Sequence, residues 1–81
     1  MLIIGKLYRV KTFNDKPLYA WPCQDNKPLP GLFLKEYILS EEIDYYGIRV
    51  RHWADFLIDE KIFSTYKPDD IPWEQMLDRL L

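Results

Sequence analysis

One cysteine, one histidine and three glycines stand in 81 residues, and each scarcity removes a class of protein. With Cys23 alone no internal disulfide can staple the fold, so a reducing compartment is the simpler expectation. A single cysteine and the single His52 cannot close a tetrahedral zinc site. The acidic pairs Glu41-Glu42, Asp59-Glu60 and Asp69-Asp70 lack the alternate spacing and central glycine of a calcium loop, so they read as solvated turn carboxylates. No metal or other cofactor is expected. Long apolar runs are missing too. Only Met1, Leu2, Ile3 and Ile4 precede Gly5, too few for a signal-peptide core, and no later run approaches a membrane span. A cytoplasmic protein without a membrane partner is the expectation.

Charge of one sign is also lacking overall. The formal net charge is -2, divided unevenly: residues 1–40 carry six bases against three acids, and residues 41–81 five bases against ten acids. Phosphate contacts dominate nucleic-acid affinity, so this balance disfavours a general nucleic-acid binder. It equally disfavours an acidic mimic of DNA.

What the chain has in quantity is aromatic residues, 16% of the total, including Trp21, Trp53 and Trp73. A domain of this size buries only about 60% of the surface its unfolded chain exposes, and bulky rings let few positions fill a core. The alternation of residues 6–13 predicts a strand, with Leu7, Arg9 and Lys11 on one face and Tyr8, Val10 and Thr12 on the other. Asn14-Asp15-Lys16-Pro17 then turns the chain. Residues 18–21 form a short apolar run ended by Pro22, and residues 24–31, with Pro28 and Pro30, read as a projecting loop. Residues 32–39 favour a strand over a competing helix at 34–44. Residues 45–53 and 56–63 predict a tight hairpin broken at Ala54-Asp55, with Ile48, Val50 and His52 facing inward and Arg49, Arg51 and Trp53 outward.

Beyond a linker at residues 66–70 the period changes. Trp73, Met76, Leu77 and Leu80 fall at helical spacing, predicting an amphipathic helix over residues 71–81 with Asp70 as N-cap. The chain thus divides into a β unit at residues 1–66 and a linker and C-terminal helix at residues 67–81. That helix packs on its own β unit or, alternatively, forms an interface with a second copy or a host protein.

Leu7-Tyr8-Arg9-Val10, Leu29-Pro30-Gly31 before Leu32-Phe33-Leu34, and Tyr46-Gly47-Ile48-Arg49-Val50 together resemble the bacterial SH3-like small barrels, above all the short stand-alone versions among bacteriophage gene products. The resemblance covers about residues 6–65. It departs at Asp55-Phe56, where the family often has Gly-Trp. It implies a mainly β, SH3-like barrel of about five strands, here with a C-terminal amphipathic helix. It also implies binding, and it transfers no catalytic residue. Phage origin would make modulation or inhibition of a bacterial host factor a natural role. Cell-wall peptide binding, known in some bacterial SH3-like domains, would need export or a fused lytic domain, and neither is visible in this sequence.

Cys23 and His52 could form a nucleophile–base pair only if the fold joined them, and nothing in their spacing requires that. The expected function is therefore a non-enzymatic protein-binding module with a host or viral protein as partner. Arginine and tryptophan dominate interface hot spots, which selects Arg49, Arg51 and Trp53, with Tyr45 and Tyr46 as a neighbouring rim. The alternative is a nucleic-acid-binding accessory protein in which the same face, extended by Arg9 and Lys11, stacks bases and holds phosphates. Homo-oligomerisation through Trp73, Met76, Leu77 and Leu80 is a further option.

Overall fold

The computed structural model describes residues 1–11, 18, 20–43, 45, 47–67 and 69–80. Among the described residues seven strands and one helical turn follow in chain order: β1 (Leu7–Val10), β2 (Cys23–Gln24), β3 (Lys27–Pro28), β4 (Gly31–Ile43), β5 (Gly47–Ile58), β6 (Lys61–Lys67), α1 (Trp73–Met76) and β7 (Leu77–Arg79). Five of them make one antiparallel sheet in the order β6-β5-β4-β1-β7, and β2 and β3 pair separately. The protein is mainly β. β6 and β7 stand at opposite ends of the order, and among the described residues no strand pairing joins them.

Alternation explains β1: Tyr8 and Val10 are buried while Leu7 and Arg9 are exposed. The predicted continuation of this strand from Thr12 to Phe13, the turn at residues 14–17 and Tyr19 of the 18–21 run lie outside the described residues. Within that run Leu18 is fully buried, and Trp21 packs edge-on against Phe56 and Phe63 at centroid distances of 5.0 and 5.7 Å. The predicted loop at residues 24–31 is instead a small hairpin. Asp25 and Asn26 adopt the left-handed conformations, φ 52° and 63°, of a two-residue turn between β2 and β3.

The long hairpin of β4 and β5 is the spine of the sheet, and it differs from the expected one in where it turns. β5 runs unbroken through Ala54 and Asp55, and the chain reverses at Asp59 and Glu60, with φ 51° and 66°. Ala54, Phe56 and Ile58 face the core and are buried, and Phe33 and Tyr8 meet them from β4 and β1. Burying a ring such as Phe56 stabilises the fold by about 2–3 kcal/mol. At Gly31 a Cβ would approach Ile58 Cγ1 to 3.0 Å and Phe56 Cβ to 3.1 Å, so this position admits nothing larger without displacing the core.

Ile48 and Val50 lie on the same face as Phe56 but are 72% and 42% exposed. The inward placement expected of them fails because the hairpin outruns the core: β6 ends opposite His52, and residues 47–51 extend beyond it.

The C-terminal segment is also corrected. Helix is confined to the single turn Trp73–Met76, with Pro72 and not Asp70 at its N-cap, and Leu77 returns to extended backbone. β7 then pairs with β1 through Val10↔Leu77, Arg9↔Asp78 and Tyr8↔Arg79, covering what would otherwise be an open edge. Trp73, Met76 and Leu77 enter the same core as Tyr8 and Phe56. Residues 73–79 are thus part of the sheet and core, not an appended helix, because a helical turn followed by a strand places Trp73, Met76 and Leu77 inward as effectively as a continuous helix would.

Candidate interaction face

Cross-strand register brings three aromatic rings together on the side of the sheet opposite Phe56. Tyr37 of β4 faces Trp53 of β5, which faces Tyr66 of β6. Tyr37 and Trp53 stack nearly parallel, 6.5 Å between centroids and 9° between planes, and Tyr66 leans on Trp53 at 5.0 Å. Such pairs contribute about 0.5–1.5 kcal/mol beyond their area, so the rings hold one another in place.

Arg51 extends this row toward the end of the hairpin. Its Cζ lies 4.5 Å from the centroid of the Tyr66 ring, and its Nη1 is 3.5 Å from Glu41 Oε2. A guanidinium stacked on a ring and oriented by a carboxylate is restrained before any partner arrives. Arg49, directly opposite Glu41, is exposed.

On the other side of the row lies Asp55, 8% exposed although charged. Its Oδ1 accepts hydrogen bonds from the Tyr37 hydroxyl at 2.9 Å and from Ser64 Oγ at 2.7 Å, and Lys35 Nζ lies 3.9 Å from its Oδ2. Burial raises the Tyr37 pKa above 10.0, and the hydrogen bond and negative charge of Asp55 act in the same direction, against an opposing contribution from Ser64. Tyr37 is therefore held as a neutral donor. Ser64 donates to a carboxylate, which anchors it without activating it as a nucleophile. The arrangement acts as a rigid aromatic surface fastened at one end by Asp55 and edged at the other by arginine.

Trp53, expected to be exposed, is half-buried because Tyr37 and Tyr66 cover it from both sides, and its Nε1 is buried without a hydrogen-bond partner among the described residues. Tyr45 is fully exposed near the hairpin tip, and Tyr46 lies outside the described residues. Trp73, Met76 and Leu77 are buried in the protein's own core and Leu80 is half-buried, in keeping with the first of the two roles weighed for this stripe, packing on its own β unit.

Arg9 and Lys11 do not extend the arginine row. β1 lies beside β4 and not β5, Arg9 is registered opposite Asp78, and Lys11 Nζ is 3.9 Å from Asp78 Oδ1. Cys23 is exposed on β2, whereas His52 is half-buried on β5, and no hydrogen bond joins them among the described residues. Among the described residues no three His, Cys, Asp or Glu side chains group as metal ligands would, and no helix is long and apolar enough to cross a membrane.

Tyr66 and Ser64 were not legible as members of the face. Placing the turn at Ala54-Asp55 shifts the β5–β6 register, and only the turn at Asp59-Glu60 sets Tyr66 opposite Trp53. The signal available was the Asp59-Glu60 pair bounded by two apolar runs. No protein-family model matches the chain, and no curated protein or solved structure matches it.

Proposed function

We propose that the protein is a non-enzymatic protein-binding module whose contact face is the Tyr37–Trp53–Tyr66 row with Arg51 and Arg49 at its edge. The supporting observation is the stacked guanidinium of Arg51 beside three packed rings on the sheet face opposite Phe56. Restrained aromatics and arginine give contact area at little further cost in side-chain entropy, which is what concentrates binding energy at such residues. Tyr45 adds an exposed ring near the tip.

For the architecture we infer an open relative of the SH3-like small barrels. Its support is the β4-β5-β6 meander, with the first strand on the free side of β4 and the last strand returning to the first after a helical turn. The resemblance to phage small barrels suggests a bacterial host factor as the partner, met in the host cytoplasm.

The test is co-purification of the tagged protein from bacterial lysate at moderate salt, with and without nuclease, alongside Trp53→Ala and Arg51→Ala. A stoichiometric protein that survives nuclease and is lost with either variant, while both variants unfold cooperatively, is the expected result. Recovery that vanishes with nuclease would replace this reading with nucleic-acid binding.

A further inference from the structure

We infer that the free edge of β4 at residues 35–41 pairs with the same edge of a second copy, forming a two-fold symmetric dimer. β1 is registered only opposite Gly31 and Leu32, with hydrogen bonds reaching Phe33, so beyond the bulge between Phe33 and Lys35 β4 has β5 on one side and no strand on the other among the described residues. β6 likewise stops opposite His52. The outer part of the hairpin is therefore a two-stranded ribbon, an element that is marginally stable in water unless further strands join it. Leu39 lies in this ribbon and Ile38 at its base, opposite His52 where β6 ends; they are on opposite faces and 44% and 60% exposed.

The occupant follows from the pattern of charges. When identical antiparallel edges pair about an axis normal to the sheet, the residue at the axis faces its own copy and each face of the sheet is preserved. With Ile38 at the axis, Ile38 meets Ile38, Tyr37 meets Leu39, Glu36 meets Ser40 and Lys35 meets Glu41, each unlike pair occurring twice. Opposite charges and aromatic–aliphatic neighbours are the favourable cross-strand pairs. Moving the axis to Tyr37 sets Glu36 against Ile38, and moving it to Leu39 sets Tyr37 against Glu41, so Lys35 faces a carboxylate of this edge only in the Ile38 register.

The free edge of β5 behaves oppositely. An axis at Arg49 or Arg51 opposes that arginine to itself and one at Val50 opposes Arg49 to Arg51, so in these registers β5 repels its own copy as guarded edges do. Pairing through β4 joins the β6-β5-β4 sheets of two copies edge to edge and closes after two copies. It leaves Arg49 and Arg51 on β5, away from the paired edge, although Lys35 and Glu41 of that edge also neighbour Asp55 and Arg51 within each copy.

The experiment is sedimentation equilibrium of the full chain over a concentration series, with a cross-linking arm in a Cys23→Ser background. The expected mass rises from 9.8 kDa toward twice that value. Lys35→Glu should weaken dimerisation roughly tenfold or more by opposing carboxylates twice, and Lys35→Glu with Glu41→Lys should restore it. Ile38→Cys should yield a disulfide-linked dimer on oxidation and Ser40→Cys should not. A monomer at every concentration, with no cross-link at Ile38→Cys, overturns the inference. Equal or preferential cross-linking at Ser40→Cys overturns the register and with it the charge argument.

Discussion

Asp55 has a burial that a carboxylate tolerates only with partners, and it has them: two hydroxyl donors and, farther off, Lys35. Tyr37→Phe removes one donor and should lower stability by about 1 kcal/mol, read from the denaturant midpoint. The same tyrosine gives a pH dependence with a defined sign. Its folded pKa lies above the unfolded value of 10.0, so the folded state keeps its proton longer than the unfolded state. The associated stability is complete below pH 10.0 and is lost as pH rises through the folded pKa. The wild-type midpoint should therefore fall more steeply above that pH than that of Tyr37→Phe; equal slopes would remove Tyr37 as the cause. Asp55 also accounts for the misplaced hairpin turn. Aspartate after alanine is read as a chain reversal because its side chain ordinarily seeks water or a local backbone group. Its actual partners come from β4 and β6, and no local pattern announces partners that only register supplies.

At the scale of elements, the existence of β1, β4, β5 and β6 was legible but not their lengths, and β2, β3 and β7 were not legible as strands. β1's alternation separated Tyr8 and Val10 from Leu7 and Arg9 without saying which pair is buried, and residues 32–39 were rightly read as extended. β5 reads as two strands because local pattern cannot distinguish a charged residue satisfied across the sheet from one at a turn. The true turn is less than ideal: Asp59 and Glu60 both hold φ above 50°, and glutamate pays a steric penalty there that glycine does not. Asp59→Asn with Glu60→Gly should therefore stabilise the protein by about 0.5–1 kcal/mol. A chain of this size should respond with a rise of a few degrees in Tm, on the order of 4–8 °C per kcal/mol. An unchanged or lower Tm would mean that the two side chains contribute more than their conformations cost.

For the whole molecule, the C-terminal stripe was legible as apolar spacing, with packing on its own β unit one of the two roles weighed for it, but not as a strand. Trp73, Met76 and Leu77 satisfy a helical period over too few residues to exclude a turn followed by extended chain, and the open edge of β1 decides the outcome. Deleting residues 69–81 would expose Tyr8 and Val10 and strip three buried side chains from a core that includes eleven buried apolar residues. Losing Trp73 alone costs about 3–5 kcal/mol by analogy with other large-to-small changes. Total stabilities are about 5–15 kcal/mol, so the full deletion exceeds what a domain this small can lose. The truncated chain should show no cooperative thermal transition. Trp73→Ala should keep one, displaced to lower temperature. A deletion that still unfolded cooperatively near the wild-type Tm would mean that β1 to β6 form a self-sufficient sheet and that the C-terminal residues are free to serve another molecule.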